Sequence, residues 1–264
     1  MLTHITPVIL TYNEASNIER TLARLSWAED IVVVDSGSTD GTLELLRKHT
    51  KVRSFIRPFD SHENQWRFAT EQTAIVSPWI LRLDADYQIP EALVQEIAAL
   101  DLEGTESAFQ AAFDYAVYSR KLLASLYPPK PILLRRGRFS VRGQGHTEGW
   151  IVEGPVGTLR NRVIHDDWKA MEDSILAQVR YMKREGAHLD VTRRGLRDWL
   201  RLHPPLMPII VFLYCYFFKG LIFNGKAGTL YTLQRTLAET ILALLLIEKR
   251  LRPEADQRGL KEPG

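Results

Sequence analysis

One pattern recurs along the first hundred residues: a short apolar run that stops abruptly in polar side chains. Thr6–Leu10 runs into Thr11-Tyr12-Asn13, Ile31–Val34 into Asp35, and Trp79–Leu83 into Asp84-Ala85-Asp86. A further run, Val52–Ile56, reads as a strand of the same kind. Helical spacing separates them, over Ile18–Leu25, from near Thr42, over Asn64–Ile75 and from Pro90 to Leu100. Strands that alternate with helices are joined by right-handed crossovers into a mainly parallel sheet flanked by helices, so the chain reads as α/β. Ligands of such sheets bind beyond the carboxyl ends of the strands. The three polar clusters therefore converge on one edge.

Composition narrows the class further. With 264 residues, 45% of them hydrophobic and 25% charged, the chain can bury a full core, and disordered or fibrous classes are excluded. Its one cysteine, Cys215, rules out an internal disulfide and a multi-cysteine zinc site. The segment MLTHITPVIL has no basic region followed by an apolar one, so no secretory signal is expected. The net charge of +2 is unevenly spread: residues 193–264 carry 12 Lys/Arg against 6 Asp/Glu, and the rest of the chain is mildly acidic.

After residue 105 the pattern is less regular. Ala108–Val117 and Ile132–Leu134 read as strands, Tyr127-Pro128-Pro129 breaks the chain, and Met171–Leu189 turns helical. The tail holds a 13-residue apolar run, Leu206–Phe218, shorter than the roughly 20 residues a bilayer crossing requires, so no transmembrane helix is expected. Leu230, Leu233, Leu237, Ile241 and Leu244 recur at helical spacing. These features divide the chain into a body, residues 1–192, and an amphipathic helical extension, residues 193–264.

Asp84-x-Asp86, on the turn that leaves a strand, has the chemistry to grip a hard divalent cation that keeps waters and takes diphosphate oxygens. Alone, the triplet reads better as a solvated turn that caps the helix near Pro90; the other clusters on the same edge reverse that balance. Asp35-Ser36-Gly37-Ser38-Thr39-Asp40-Gly41 offers a carboxylate for a ribose or base, and small residues that allow close approach of a ligand. Thr11-Tyr12-Asn13-Glu14 is suited to framing a nucleobase.

In this order and spacing, "PVILTYNEASNIERTL", "AEDIVVVDSGSTDGT" and "WILRLDADY" resemble the nucleotide-sugar domain of family 2 glycosyltransferases, which have the GT-A (Rossmann-like) fold. Weaker likeness in "LYPPKPILLRRGRF", "GHTEGW", "VIHDDWKAMEDSILAQVRYMKREGAHL" and "FFKGLIFNGKAGTLYTLQRTLAE" is to the bacterial lipopolysaccharide-core and exopolysaccharide glucosyltransferase-like subgroup. The resemblance implies that Thr11, Asn13, Glu14 and Asp35 surround the base and ribose of a nucleotide-diphosphate sugar, by default a UDP-sugar. Asp84 and Asp86 would bind Mg²⁺ or Mn²⁺, with Asp86 the more direct ligand. His165 would approach the metal or diphosphate, and Arg135 and Arg136 would hold phosphate oxygens. An inverting transfer needs a base for the acceptor hydroxyl. Relatives carry an acidic residue after the metal motif; here Gly145-His146-Thr147-Glu148 favours Glu148, with Asp166 and Asp167 as rivals. Trp66, Arg67 and Tyr127 either shape the sugar pocket or pack.

The basic residues Arg193, Arg194, Arg197, Arg201, Lys249, Arg250 and Arg252 flank apolar helices, which suits an anionic membrane surface. The expectation is therefore a cytoplasmic enzyme, peripheral on the inner face of the membrane, acting on a glycan or lipid-linked acceptor. The alternatives for the tail are packing on the body or a homo-oligomer contact. The alternative for the whole chain is a catalytically inactive scaffold of the same fold. A nicotinamide-dependent oxidoreductase lacks its Gly-x-Gly-x-x-Gly turn here, and the acidic body disfavours nucleic acid.

Overall fold

The β-branched run Ile31–Val34 is buried on both of its faces in the structure, a computed structural model that describes residues 2–144, 147–188, 196–201, 203–204 and 206–259. Such a strand belongs at the centre of a parallel sheet. It is β2 (Ile31–Asp35), following β1 (Ile5–Thr11) and helix α1 (Ile18–Ala23). The chain continues through α2 (Thr42–Leu46), β3 (Val52–Ile56), α3 (His62–Glu71), β4 (Trp79–Asp84), β5 (Tyr87–Gln88) and α4 (Glu91–Ala98). Ser61 caps α3, accepting a bond from the Asn64 amide at 3.1 Å.

Next come β6 (Ala108–Ala111), β7 (Phe113–Val117), β8 (Arg120–Lys121), β9 (Lys130–Arg135), β10 (Phe139–Gln144), β11 (Thr147–Val152), β12 (Val156–Thr158) and β13 (Val163–His165). Among the described residues, seven strands form the main sheet in the order β12-β6-β9-β4-β1-β2-β3. Pairing is parallel except at β9, which runs antiparallel to both β4 and β6. The fold class expected from the sequence is thus the one observed. Val8, Val32, Val34 and Ile80 face Trp66 and Ala69 of α3. On the other face, Ile9, Val33, Leu81 and Leu83 meet Ile18 and Leu22 of α1, Leu46 of α2 and Leu93 and Ile97 of α4.

The expected single strand Ala108–Val117 is two. β6 belongs to the main sheet, whereas β7 joins a smaller one in the order β5-β13-β7-β8. The switch falls at Ala112, whose carbonyl accepts from the Val163 amide at 3.1 Å. β10 and β11 form a separate antiparallel hairpin.

The chain divides into two compact units, residues 1–121 with 125–169, and residues 122–124 with 170–264. The first therefore ends before the expected boundary at 192, because the helix that follows belongs to the second. That unit contains α5 (Met171–His188), α6 (Leu196–Arg201), α7 (Leu206–Leu213) and α8 (Gly225–Gly259). Met182 of α5 packs against Ala238, Leu242 and Leu246 of α8. Arg201 is buried and forks onto Glu239, with Nη2 donating to Oε1 at 2.6 Å and Nε to Oε2 at 3.0 Å, while Nη1 reaches Glu185 at 2.8 Å. Burial opposes the charge on Arg201, but Glu239 and Glu185 hold it protonated above its ordinary value.

Removing Glu239 would strand a buried guanidinium. Glu239→Ala is expected to destabilise the second unit by about 3–5 kcal/mol, read as a lowered urea midpoint, with Glu239→Gln less damaging.

Candidate active site

Strand register builds the site. β1 lies between β2 and β4, with Thr11 opposite Asp35 and Leu10 opposite Asp84. Thr11, Asp35 and Asp84 thus end their strands level with one another, and the loops that follow meet at the same edge.

The loops after β1 and β2 are clasped together by hydrogen bonds. Asp35 is fully buried beneath them. Its Oδ1 accepts from the Gly37 amide at 2.9 Å and the Ser38 amide at 2.7 Å, and its Oδ2 from the Thr11 hydroxyl at 2.8 Å and the Ser38 hydroxyl at 2.5 Å. The Asn13 amide donates to Ser38 Oγ at 2.8 Å, the Glu14 amide to Thr42 Oγ1 at 2.8 Å, and the Ala15 amide to Asp40 Oδ2 at 3.0 Å. Asn13 takes a positive φ of 54°, and its Oδ1 accepts from the Thr39 amide at 2.9 Å. Two acceptor sites on each Asp35 oxygen are therefore occupied. Thr11 and Asp35, expected to surround a base and ribose, hydrogen-bond to each other and to the loop after β2. Tyr12, in the first of these loops, is 49% exposed.

The Asp84-x-Asp86 motif sits on the next turn. Thr21 of α1 donates to the Ala85 carbonyl at 2.6 Å, fixing the bend. β13 pairs with β5 so that His165 lies opposite Tyr87, and the Asp166 amide continues the ladder to the Asp86 carbonyl at 3.1 Å. His165 Nε2 consequently stands 3.0 Å from Asp86 Oδ2. Burial penalises charge on both groups. The contact outweighs it, holding Asp86 below the usual carboxylate value and His165 above the usual imidazole value. The rings of Tyr87, Tyr115 and Tyr127 pack around His165 at 4.6–5.2 Å between centroids. Burial, and then the field of Asp84, push the Tyr87 and Tyr127 phenols up, so both stay neutral. Asp84 and Asp86 both act on these two phenols.

The segment after β13 is strapped to α1. Asn17 Nδ2 donates to Asp167 Oδ1 at 2.7 Å and to Glu14 Oε2 at 2.9 Å, and its Oδ1 accepts from the Trp168 amide at 2.8 Å. Lys169 is ion-paired with Glu14. Burial works against the Lys169 charge, but Glu14, with Asp167 and Asp86 nearby, holds it protonated well above the ordinary value. Asp166 is buried and receives bonds from the Ser119 amide at 3.1 Å, Trp168 Nε1 at 2.9 Å and Arg20 Nη2 at 3.2 Å. Arg20 also lies 4.3 Å from the centre of the Trp168 ring. Asn17, Arg20 and Lys169 carry no motif of their own and were not foreseen; only their side-chain spacing to Asp166 and Asp167 in space reveals them.

Other expected residues are placed elsewhere. Arg135 pairs with Trp79 at the opposite end of β4, where its guanidinium donates to the carbonyls of Leu102, Gly104 and Glu106. Arg136 donates to the Ile75 carbonyl. Both satisfy carbonyls at the amino end of the sheet, away from the polar edge, because β9 runs antiparallel to β4. Trp66 is core, and Arg67 bonds Asn64 on exposed α3. Glu148 stands on β11 opposite Gly143, and its side chain, like Gly145 and His146, lies outside the described residues.

A divalent cation is tested by one atom. Asp86 Oδ1 is buried with no hydrogen-bond partner among the described residues. An ionised oxygen in that position calls for a cation, and the neighbouring Asp84 supplies a second oxygen donor. Among the described residues no three such side chains form a complete cage. This donor set suits an ion that completes its shell with water and phosphate.

Comparison with known proteins identifies the family. The profile described as glycosyl transferase family 2 matches residues 6–156. The chain is 27% identical over 267 residues to the lipopolysaccharide core biosynthesis glycosyltransferase LpsC of Rhizobium meliloti (strain 1021), covering 94% of each. It is 32% identical over 120 residues to an uncharacterized glycosyltransferase of Rickettsia bellii (strain RML369-C), covering 45% of this chain and 38% of that one. Among solved structures, S. aureus TarS 1-349 in complex with UDP-GlcNAc is similar at 13% identity with a TM-score of 0.47, over 94% of this chain and 91% of that one.

Asp35→Ala would leave buried amides and hydroxyls without an acceptor. It is expected to destabilise the first unit by at least about 1–3 kcal/mol, measured by urea unfolding.

Proposed function

The chain belongs to glycosyl transferase family 2, and from that premise we propose an inverting sugar transfer from a nucleotide-diphosphate donor, by default a UDP-sugar. The acceptor is a glycan or lipid-linked glycan of bacterial cell-surface polysaccharide or lipopolysaccharide, a reading supported by the likeness to LpsC. The enzyme works from the cytoplasmic face of the membrane. The observation that carries the donor site is the buried, unpartnered Oδ1 of Asp86 beside Asp84.

The clasped loops after β1 and β2 are preorganised to receive the nucleoside, with Tyr12 exposed to cover the base. Asp84 and Asp86 would hold Mg²⁺ or Mn²⁺, which neutralises the leaving diphosphate. His165 fixes Asp86 from behind, as a second layer of support does for a metal-binding carboxylate. Of the three carboxylates considered for the acceptor base, Asp166 is taken up by Ser119, Trp168 and Arg20, and Asp167 Oδ1 by Asn17 and the Lys169 amide. The role of removing the acceptor proton is assigned to Glu148. The match to the family profile and the likeness to LpsC over 94% of the chain favour the enzyme over an inactive scaffold.

Calorimetric titration of UDP is expected to show Mn²⁺-dependent binding to the wild type and its loss in Asp86→Ala. Equal binding by both proteins would overturn the assignment. Glu148→Gln is expected to lower kcat by about 10²–10⁴-fold while leaving UDP affinity unchanged, as removal of a general base does.

A further inference from the structure

The helical segment Leu206–Phe218 carries no charged residue, and the second unit covers only one side of it. Met207, Val211 and Cys215, spaced four apart, are buried, and α7 packs on α8. The opposite row, Leu206, Ile209, Leu213 and Phe217, is exposed. A turn of π-helix (Tyr214–Phe218) and a 3₁₀ turn (Leu221–Asn224) then reverse the chain into α8 and present Phe218 and Phe223, 78% and 84% exposed. The turn packs closely on the start of α8. Gly228 lies so close to the turn that an added Cβ would be 2.0 Å from the Leu221 carbonyl oxygen.

A helix apolar on all sides belongs in a core or in lipid, and a contiguous exposed apolar patch marks a contact surface. The charge around the patch selects the partner. From Trp199 to Ala238 there is no Asp or Glu, while Lys219 and Lys226 flank the turn, with Lys219 Nζ 5.4 Å from the centre of the Tyr214 ring. A second copy would bring like charge against like; an anionic headgroup layer is complementary. Thirteen helical residues extend about 20 Å, short of the roughly 30 Å hydrocarbon core. The contact is therefore interfacial.

Leu221–Arg252 is long and apolar enough to span a membrane by length and composition, unlike the expectation from sequence. Within it, however, Glu239 is buried in its ion pair with Arg201, and Ala238, Leu242 and Leu246 pack on Met182. Those contacts pack one face of this helix within the second unit. Of the basic residues expected to meet lipid, Arg201 is taken up internally and Arg252 pairs with Glu248; Arg193 and Arg194, and the Arg197 side chain, lie outside the described residues.

We propose that the patch formed by Leu213, Phe217, Phe218, Ile222 and Phe223 inserts into the interfacial layer of an anionic bilayer as a one-sided anchor. This deepens the membrane-face reading above and rests on it. The test is flotation of the full chain with vesicles of phosphatidylethanolamine and phosphatidylglycerol. The wild type and a Val76→Asp control, at an exposed apolar site of the first unit, are expected to float. A Phe218→Asp/Phe223→Asp variant with unchanged melting temperature is expected to float at least about tenfold less, as loss of the apolar anchor requires. If the variant floats like the wild type, this placement is overturned and the membrane reading stands. If the wild type stays at the bottom, both are overturned. A wild type that sediments as a dimer without vesicles, with the variant monomeric and neither floating, assigns the patch to a second copy instead. UDP titration on the same preparations reports the donor site separately.

Discussion

The register of β1 between β2 and β4 sets Thr11 opposite Asp35 and Leu10 opposite Asp84, and the polar edge of the first unit follows from it. A slip of one residue would turn every side chain of β1 to the other face of the sheet. Val8 would leave the layer around Trp66, and Ile9 the layer around Ile18 and Leu22. Because both faces are buried, the apolar packing fixes the register. The register in turn brings the Thr11 hydroxyl to the Asp35 carboxylate, around which the two loops close.

That edge concentrates acidic groups, and its stability depends on how their charges are answered. Each is met by a group brought from elsewhere: Asp86 by His165, Asp166 by Arg20, Glu14 by Lys169. His165, Asp166 and Lys169 all come from the short stretch that ends the first unit. It reaches the Asp84-x-Asp86 motif because β13 adds to β5 immediately after Asp86. One buried Asp86 oxygen is left unanswered among the described residues, where a cation brought with substrate would be attracted. The second unit answers its charge differently. Arg201 is enclosed with Glu239 and also paired with Glu185, so these charges are met inside the unit.

The alternation of apolar runs with helical spacing was enough to read the parallel sheet, its flanking helices and the edge where ligands bind, since burial on two faces demands continuous apolar strands. The same pattern placed Asp84 and Asp86. What it missed were short strands and long-range clasps. β5 has two residues and β13 three, too few for a periodicity to register, yet they carry His165 to Asp86. Ala108–Val117 reads as one strand because its apolar content continues across Ala112, and only partners distant in sequence split it between two sheets.

The sequence by itself determined the fold class, the polar edge and the apolar, basic character of the tail, because these rest on local periodicity and composition. Only the tertiary structure decided which polar side chains are tied up by partners within the frame. Asp35 and Thr11 are consumed by each other and by the loop, and Arg135 and Arg136 end at the far edge of the sheet among backbone carbonyls. Asn17, Arg20 and Lys169 acquire their roles from partners more than a hundred residues away or on a different element. A side chain's chemistry is written in its type, but whether its lone pairs and charge remain available depends on what folding places beside it.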